Sequence, residues 1–332
     1  MCVNNKSIII ITLTILFSLV LFYLVQQNLF SKGEQKIIKV AYLPVVQSLP
    51  LFVAVENGMF EKEGLIVELE RIESPNQIID ALISGNVDAG APSVAAGITA
   101  IVESKNPGSL KIYSLTCGVS NSSNMNTMSE LIVARDSSIT SISDLRGKKI
   151  GHLPGIQFST MAKKILVENG VDPSEVTLID LPVPNQLSTL DSGGVDVVLT
   201  LEPVGTIGAQ MNLSRILVSD PMSKYVSDPW CGGAGVISAK FIQENPEDAE
   251  KFVNVMLMAI NKTYEDKDSR QYLIKYLGMS GELVDLVPLP PIMTSSQNLD
   301  ASIEQGYQKF IDVFYEFNVT THLVDVRDMF LD

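Results

Sequence analysis

Ser74–Ser93 reads SPNQIIDALISGNVDAGAPS, and a second copy of the pattern, PNQLSTLDSGGVDVVLTLEP, occupies Pro184–Pro203. In each copy Pro-Asn-Gln opens a short helix, because proline is tolerated in a first turn where its missing N–H has no intrahelical partner to lose. Each helix stops at glycine, Gly85 or Gly193, where the chain takes the left-handed conformation needed to leave a helix. Val-Asp and small or apolar residues follow as a buried strand that runs to Ser93 in one copy and to Glu202 in the other. The shared order of Pro, Asn, Gln, Leu, Ser, Gly, Val and Asp, with a single-residue gap, marks a duplication rather than two unrelated helix caps. Side chains just past the C-terminal ends of parallel strands face the crevice of an open α/β sheet. The repeat therefore predicts an α/β chain of two similar lobes around one cleft, with Ser93 and Glu202 at its rim.

The chain has 332 residues, 46% of them hydrophobic, enough to bury a large core and to form two domains. Its net charge of -14 argues against nucleic acid as a partner, since phosphate binding needs clustered Lys and Arg. Cys2, Cys117 and Cys231 are too few for a disulfide scaffold and lack metal-ligand spacing. Only Cys117 and Cys231 could pair outside a membrane, and the sequence leaves open whether they do. His152 and His322 stand alone, and no HExxH, CxxC or GxxxxGK[ST] is present, so no metal, cofactor or catalytic residue is expected. Cys231 has no histidine tied to it by a local motif and is not expected to be a nucleophile.

Ile8–Val25, IIIITLTILFSLVLFYLV, carries no charge and with its flanks is just long enough to cross a bilayer about 30 Å thick. Lys6 before it and no small-x-small cleavage triplet after it favour an uncleaved anchor with its N-terminus inside; a cleaved signal peptide, giving a secreted protein, is the alternative. Residues 1–35 thus read as anchor and tether, and everything from Lys36 onward is expected outside the cytoplasm.

From Ile37 the order is strand, loop and helix, then a second strand, Leu65–Arg71, and the first repeat copy. Strands follow at Lys111–Thr116 and Glu130–Arg135, where the first lobe hands over to the second. Lys148–His152 reads as a strand, Pro154-Gly155 as a turn into the cleft, and Phe158–Asn169 as a helix. Free N–H groups at the start of that helix carry partial positive charge and could hold an anionic or strongly polar group without Arg or Lys. After the second repeat copy and a last strand, Arg215–Val218, the loop Asp228-Pro-Trp-Cys-Gly-Gly returns the chain to the first lobe. Lobe 1 is therefore expected over residues 36–117 and 233–332, lobe 2 over 118–232, joined by a hinge of two crossings.

Five stretches in order, AYLPVVQSLPLFVAVENGMFEKEGLIVEL, ALISGNVDAGAPS, SISDLRGKKIGHLPG, LDSGGVDVVLTLEP and DVFYEFNVTTHLVDVRDMFL, resemble the alkanesulfonate, taurine and nitrate group of ABC-transporter substrate-binding proteins. That group also includes binders of thiamine pyrimidine precursors. The resemblance spans nearly all of Lys36–Asp332 and implies the type II periplasmic binding fold and a monomer that presents a small solute to a membrane permease with its ATPase subunit. An anchored ligand sensor, or a pyrimidine-biosynthesis-type enzyme on the same fold, is the alternative, although that enzyme carries a cysteine-rich iron motif absent here.

Motif position marks Gln47, Ser93, Thr116, Gly155, Ile156, Gln157, Phe158, Glu202 and Trp230 as ligand-binding candidates. Sulfonate binders place small hydroxyl residues after the glycine matching Gly155, whereas this chain has Ile156-Gln157-Phe158-Ser159. Glu202 would repel an anion held close to it and attract an amine or protonated ring nitrogen, which keeps a cationic, zwitterionic or amino-heterocyclic solute open beside the anionic one. Trp230, the only tryptophan, is expected on the crossing loop as an aromatic wall.

Overall fold

The computed structural model describes residues 36–118, 128–294 and 301–331, together with Ser18. The apolar segment Ile8–Val25 lies, but for Ser18, outside the described residues; among the described ones no helix is long and apolar enough to cross a membrane. Ile38–Asp332 forms one compact unit, to which everything below refers.

Eleven strands are described: β1 Ile37–Tyr42, β2 Ile66–Arg71, β3 Ala89–Ala95, β4 Leu110–Gly118, β5 Ser129–Ala134, β6 Lys149–His152, β7 Thr177–Asp180, β8 Val197–Leu201, β9 Ser214–Ser219, β10 Trp230–Ser238 and β11 Ile292–Thr294. They form two sheets. Sheet A runs β2-β1-β3-β10-β4-β11, and sheet B runs β7-β6-β8-β5-β9. The first five positions of the two sheets correspond. In sheet A, β3 is parallel to β1 and antiparallel to β10, which is antiparallel to β4. In sheet B, β8 is parallel to β6 and antiparallel to β5, which is antiparallel to β9. The fourth strand of each sheet is the one that enters it directly after a crossing: β5 on the way from sheet A to sheet B, β10 on the way back.

The duplicated segments occupy equivalent places, and their chemistry repeats. The helices Pro75–Ser84 and Val183–Asp191 feed β3 and β8 through glycines at positive φ, Gly85 at 75° and Gly193 at 73°. The aspartate of each Val-Asp pair then holds the neighbouring parallel strand. The Asp88 carboxylate accepts from the Lys39 N–H at 2.9 Å, and the Asp196 carboxylate accepts from the Lys149 N–H at 2.8 Å. The Asp88 and Asp196 N–H groups return the bond to the Lys39 and Lys149 carbonyls at 2.8 and 2.9 Å. Each aspartate thus registers its strand against the next one.

The return crossing departs from expectation. Residues from Trp230 onward form a nine-residue buried strand, not a loop, and the chain rejoins sheet A at Trp230 rather than at Gly233. Its glycines hide the strand from a propensity reading and explain it in space. A Cβ on Gly232 would sit 2.1 Å from the Trp230 ring, and one on Gly233 would sit 2.7 Å from the Pro92 carbonyl. Bare at Gly233, β10 lets the Thr116 hydroxyl of β4 donate across it to the Pro92 carbonyl at 2.8 Å. The short strand β11, which follows Leu289-Pro-Pro, also went unread. The Ala301–Glu316 helix packs against the same region, where Phe310 meets the Trp230 ring edge-on at 5.7 Å between centroids.

Cys117 of β4 and Cys231 of β10 are joined in a buried disulfide that closes a span of 114 residues, including all of sheet B. It links the strand that leaves sheet A to the one that returns. Closing so long a span removes denatured-state entropy equivalent to about 4–5 kcal/mol in the chain-entropy model. The Cys117→Ser/Cys231→Ser double variant is expected to lose about 2–5 kcal/mol in urea unfolding, and reductant is expected to destabilise the parent but not the variant. Equal unfolding midpoints for parent and variant would contradict a stabilising role.

Candidate functional site

A narrow cavity lies where the two sheets meet. From the sheet A side come Leu43, Val45 and Gln47 beyond β1, and Ser93 and Ala95 at the end of β3. Gln157, Phe158 and Leu201 come from the sheet B side. Pro75, Met128, Gly232 and Gly233 complete the wall. None of these residues is charged.

The polar side chains in the wall are in different states. Ser93 accepts from the Leu43 N–H at 3.2 Å and from the Ser48 hydroxyl at 2.7 Å, which fixes the turn after β1. Gln157 has both ends engaged. Its Oε1 accepts from the Gly97 N–H at 2.7 Å, and its Nε2 donates to the Gly232 carbonyl at 3.0 Å. A side chain from the first turn of the Ile156–Glu168 helix, on the sheet B side, is thereby anchored in two elements of the sheet A side. Gly97 has to be glycine for this, since a Cβ there would lie 2.8 Å from Gln157 Oε1 and 2.5 Å from the Phe314 ring.

Gln47 is the opposite case. It sits in the 3-10 turn Val46–Ser48, is 2% exposed, and neither Oε1 nor Nε2 has a hydrogen-bond partner among the described residues. An unpaired buried polar group costs about 1–3 kcal/mol, so both ends of this carboxamide are open to a partner from outside the described residues.

Other contacts tie the two sides together around the cavity. The Val46 N–H donates to the Glu202 carbonyl at 3.3 Å. Lys164 reaches both carboxylate oxygens of Glu316 at 3.0 Å. Gly155, at φ 121°, meets the Asn76 side chain so closely that a Cβ would lie 2.6 Å from its Oδ1. The first turn of one duplicated helix therefore abuts the turn expected to point into the cleft.

Of the nine candidates read from the sequence, Gln47, Ser93, Gln157 and Phe158 line the cavity. The other five lie outside its lining. Thr116 is spent on Pro92 across β10. Gly155 donates its N–H to the Asp180 carboxylate at 3.2 Å, and Ile156 turns partly to solvent at 36% exposure. Trp230 is wholly buried in the β10 packing behind Gly232, with its indole nitrogen unpartnered among the described residues.

Glu202 is buried, and its carboxylate accepts from the Thr206 N–H at 3.3 Å and the Thr206 hydroxyl at 3.0 Å. It also meets Glu130, a residue the sequence reading passed over as part of a strand. Glu130 on β5 and Asp220 after β9 reach the same end of sheet B, and all three carboxyls are buried. Burial raises the titration of Glu130 first, with the neighbouring Glu202 charge and its hydrogen bond adding to it. Burial also raises Glu202, against the pull of the Thr206 and Glu130 hydrogen bonds. Glu130 thus holds a proton and shares it with the Glu202 carboxylate. The Glu130 Oε2 lies 1.2 Å from where a Cβ on Gly205 would be, so the pair fits only against a glycine.

A family model described as "NMT1/THI5 like" matches residues 45–269 of this chain. The chain is 25% identical over 313 residues to a Bacillus subtilis (strain 168) protein named "Putative aliphatic sulfonates-binding protein", covering 90% of this chain and 88% of that one. Among solved structures it is similar to the alkanesulfonate-binding protein SsuA from Xanthomonas axonopodis pv. citri bound to MOPS, with TM-score 0.72, 17% identity, and coverage of 90% and 99%. It is also similar to the periplasmic nitrate-binding protein NrtA from Synechocystis PCC 6803, with TM-score 0.65, 12% identity, and coverage of 86% and 82%. These likenesses establish the α/β periplasmic-binding-protein fold.

The acid pair has a pH signature. Above the ordinary carboxylate value of 4.5 the unfolded chain releases protons that the native Glu130–Glu202 pair retains. The unfolded state then binds fewer protons than the native one, so stability falls as pH rises, by about 1.4 kcal/mol per pH unit for each retained proton. Glu130→Gln keeps a donor for Glu202 and removes one titrating group. Urea unfolding between pH 5 and 8 is expected to show a shallower decline in this variant than in the parent, and identical slopes would exclude a shared proton.

Proposed function

The chain belongs to the NMT1/THI5-like family, and on that premise we propose that it is the extracytoplasmic solute-binding protein of an ABC importer. The observation that carries the proposal is the uncharged cavity between the sheets, walled from both sides and bridged by Gln157. A wall shared by two sheets changes shape when they rotate apart, which is what a receptor that captures and releases a solute requires. The two crossings beside β5 and β10 supply the hinge. Lobe 1, residues 36–117 with 230–332, would close on lobe 2 between them. Binding would occur with the lobes apart, closure would bury the solute, and docking on a permease would reopen the cleft, with ATP hydrolysed on a different chain.

The solute would be small. Alkanesulfonates, taurine, nitrate and aminopyrimidines are the candidate solutes, and Gln47, Ser93, Gln157 and Phe158 would contact them once the lobes part. The chain would turn nothing over, and Cys117 and Cys231, bonded to each other, leave no free thiol among the described residues. A buried disulfide also suits an oxidising compartment outside the cytoplasm. Ile8–Val25 would hold the domain at the outer face of the membrane.

Trp230 sits directly behind Gly232 of the cavity wall and reports closure without an added label. Titration of the purified chain with those four solute classes is expected to give a saturable fluorescence change for at least one of them, with the solute recovered unaltered. Gln157→Leu, which removes two buried hydrogen bonds worth about 1 kcal/mol each, is expected to weaken that binding by roughly tenfold or more. Chemical conversion of a bound solute would overturn the transport reading, as would silence toward every class.

A further inference from the structure

We propose that Gln47 determines which solute the cleft accepts, and that it selects an uncharged group with a hydrogen-bond donor and acceptor on adjacent atoms: a lactam, primary amide or amidine-type edge on an apolar body. The proposal rests on the solute-binding reading above and specifies what that site recognises.

The contrast between the two glutamines of the wall leads to it. Gln157 gives both ends of its carboxamide to protein backbone, and Ser93 is engaged by Leu43 and Ser48. Gln47 is the polar side chain of the wall whose donor and acceptor both lack a partner among the described residues. Its backbone is held on either side, by the Val46 N–H bond to the Glu202 carbonyl and by the Ser48 hydroxyl bond to the Leu43 carbonyl at 2.6 Å. The carboxamide is therefore presented from a fixed turn, which favours a planar group that pairs with both of its atoms at once.

The rest of the wall sets the complement. Leu43, Val45, Ala95, Met128, Phe158 and Leu201 offer apolar contact, and no charged residue lines the space. Glu202, the nearest acid read from the sequence, stands outside the lining with its oxygens on Thr206 and Glu130. A fully charged head would be stripped of water here with no opposite side-chain charge to meet it. A carboxamide facing a matched donor and acceptor leaves nothing unpaired. A site built for such a pair rejects an analogue that lacks one member, because the site's own polar atom is then left buried and empty.

The test uses the purified full chain at pH 8 and the Trp230 signal. The uncharged probes are 2-pyridone and 4-aminopyrimidine, with N-methyl-2-pyridone as the analogue that has lost its donor; the anionic probes are methanesulfonate and nitrate. The expected result is binding of 2-pyridone or 4-aminopyrimidine in preference to both anions. N-methylation is expected to weaken 2-pyridone by roughly 10-fold or more, and Gln47→Leu is expected to weaken the preferred probe by roughly 10- to 100-fold with an unchanged unfolding midpoint. Gln47→Glu, which keeps the size but loses the donor, checks that the effect does not come from repacking, and is expected to weaken the same probe. Preferred binding of an anion that Gln47→Leu leaves intact would overturn the proposal and leave the solute-binding reading standing, with the helix at Gly155 as the anion's seat. Uncharged probes that bind Gln47→Leu as well as the parent would also overturn it. Silence toward all five probes would remove both readings.

Discussion

Strand β10 can run between β3 and β4 only because three of its residues carry no side chain. Gly232 yields its space to the Trp230 ring, Gly233 lets Thr116 reach Pro92, and at Gly235 the Tyr113 hydroxyl of β4 reaches the Gly90 carbonyl of β3 at 2.8 Å. The side chains of β4 thus bond over a thin central strand to the backbone of β3, and three strands are locked as one unit. The returning chain forms the middle strand of that unit, and the disulfide fastens it to β4, the strand that left. The same bare backbone forms one wall of the cavity and offers the Gly232 carbonyl to Gln157. Fold closure and site closure depend on one run of glycines.

The duplicated fold was readable because its signals are local. A proline in the first turn, a glycine at the exit and an aspartate three residues later each act within a few positions, and they recur in both sheets with matching bonds to Lys39 and Lys149. Strand β10 escaped reading for the inverse reason. Glycine depresses strand propensity, and its justification lies in Pro92, Thr116 and Tyr113, which are remote in sequence. The partner of Cys117 was likewise open until the two strands were seen side by side.

Site residues divide the same way. Gln47, Ser93, Gln157 and Phe158 line the cavity, while Thr116, read from the same kind of motif position, is turned to Pro92. Glu202, read from its strand end, and Trp230, read from the crossing loop, lie outside the lining, and both are turned by neighbours the sequence does not reveal. Glu130 reaches Glu202 only because β5 crosses from the other sheet to lie beside β8, and Phe310 reaches Trp230 only because the C-terminal helix folds back on β10. Which way a strand-end side chain turns is decided by the element packed against it, and here that element comes from far along the chain.

The acid pair then bears on the cavity from outside it. The chain carries a net charge of -14, yet at this end of sheet B Glu130 keeps its proton and the Glu202 charge is met by Thr206. With Glu130 protonated and Glu202 outside the lining, a fully charged head in the cavity would meet no opposite side-chain charge to offset its loss of water. The two sides of the cavity are also held together by the protein's own groups, through Gln157, the Val46–Glu202 bond and the Lys164–Glu316 pair. A bound molecule can shift the balance between open and closed forms only by its difference in affinity for the two. Under the solute-binding proposal that difference would fall on wall atoms without a partner among the described residues, and the Gln47 carboxamide holds two of them.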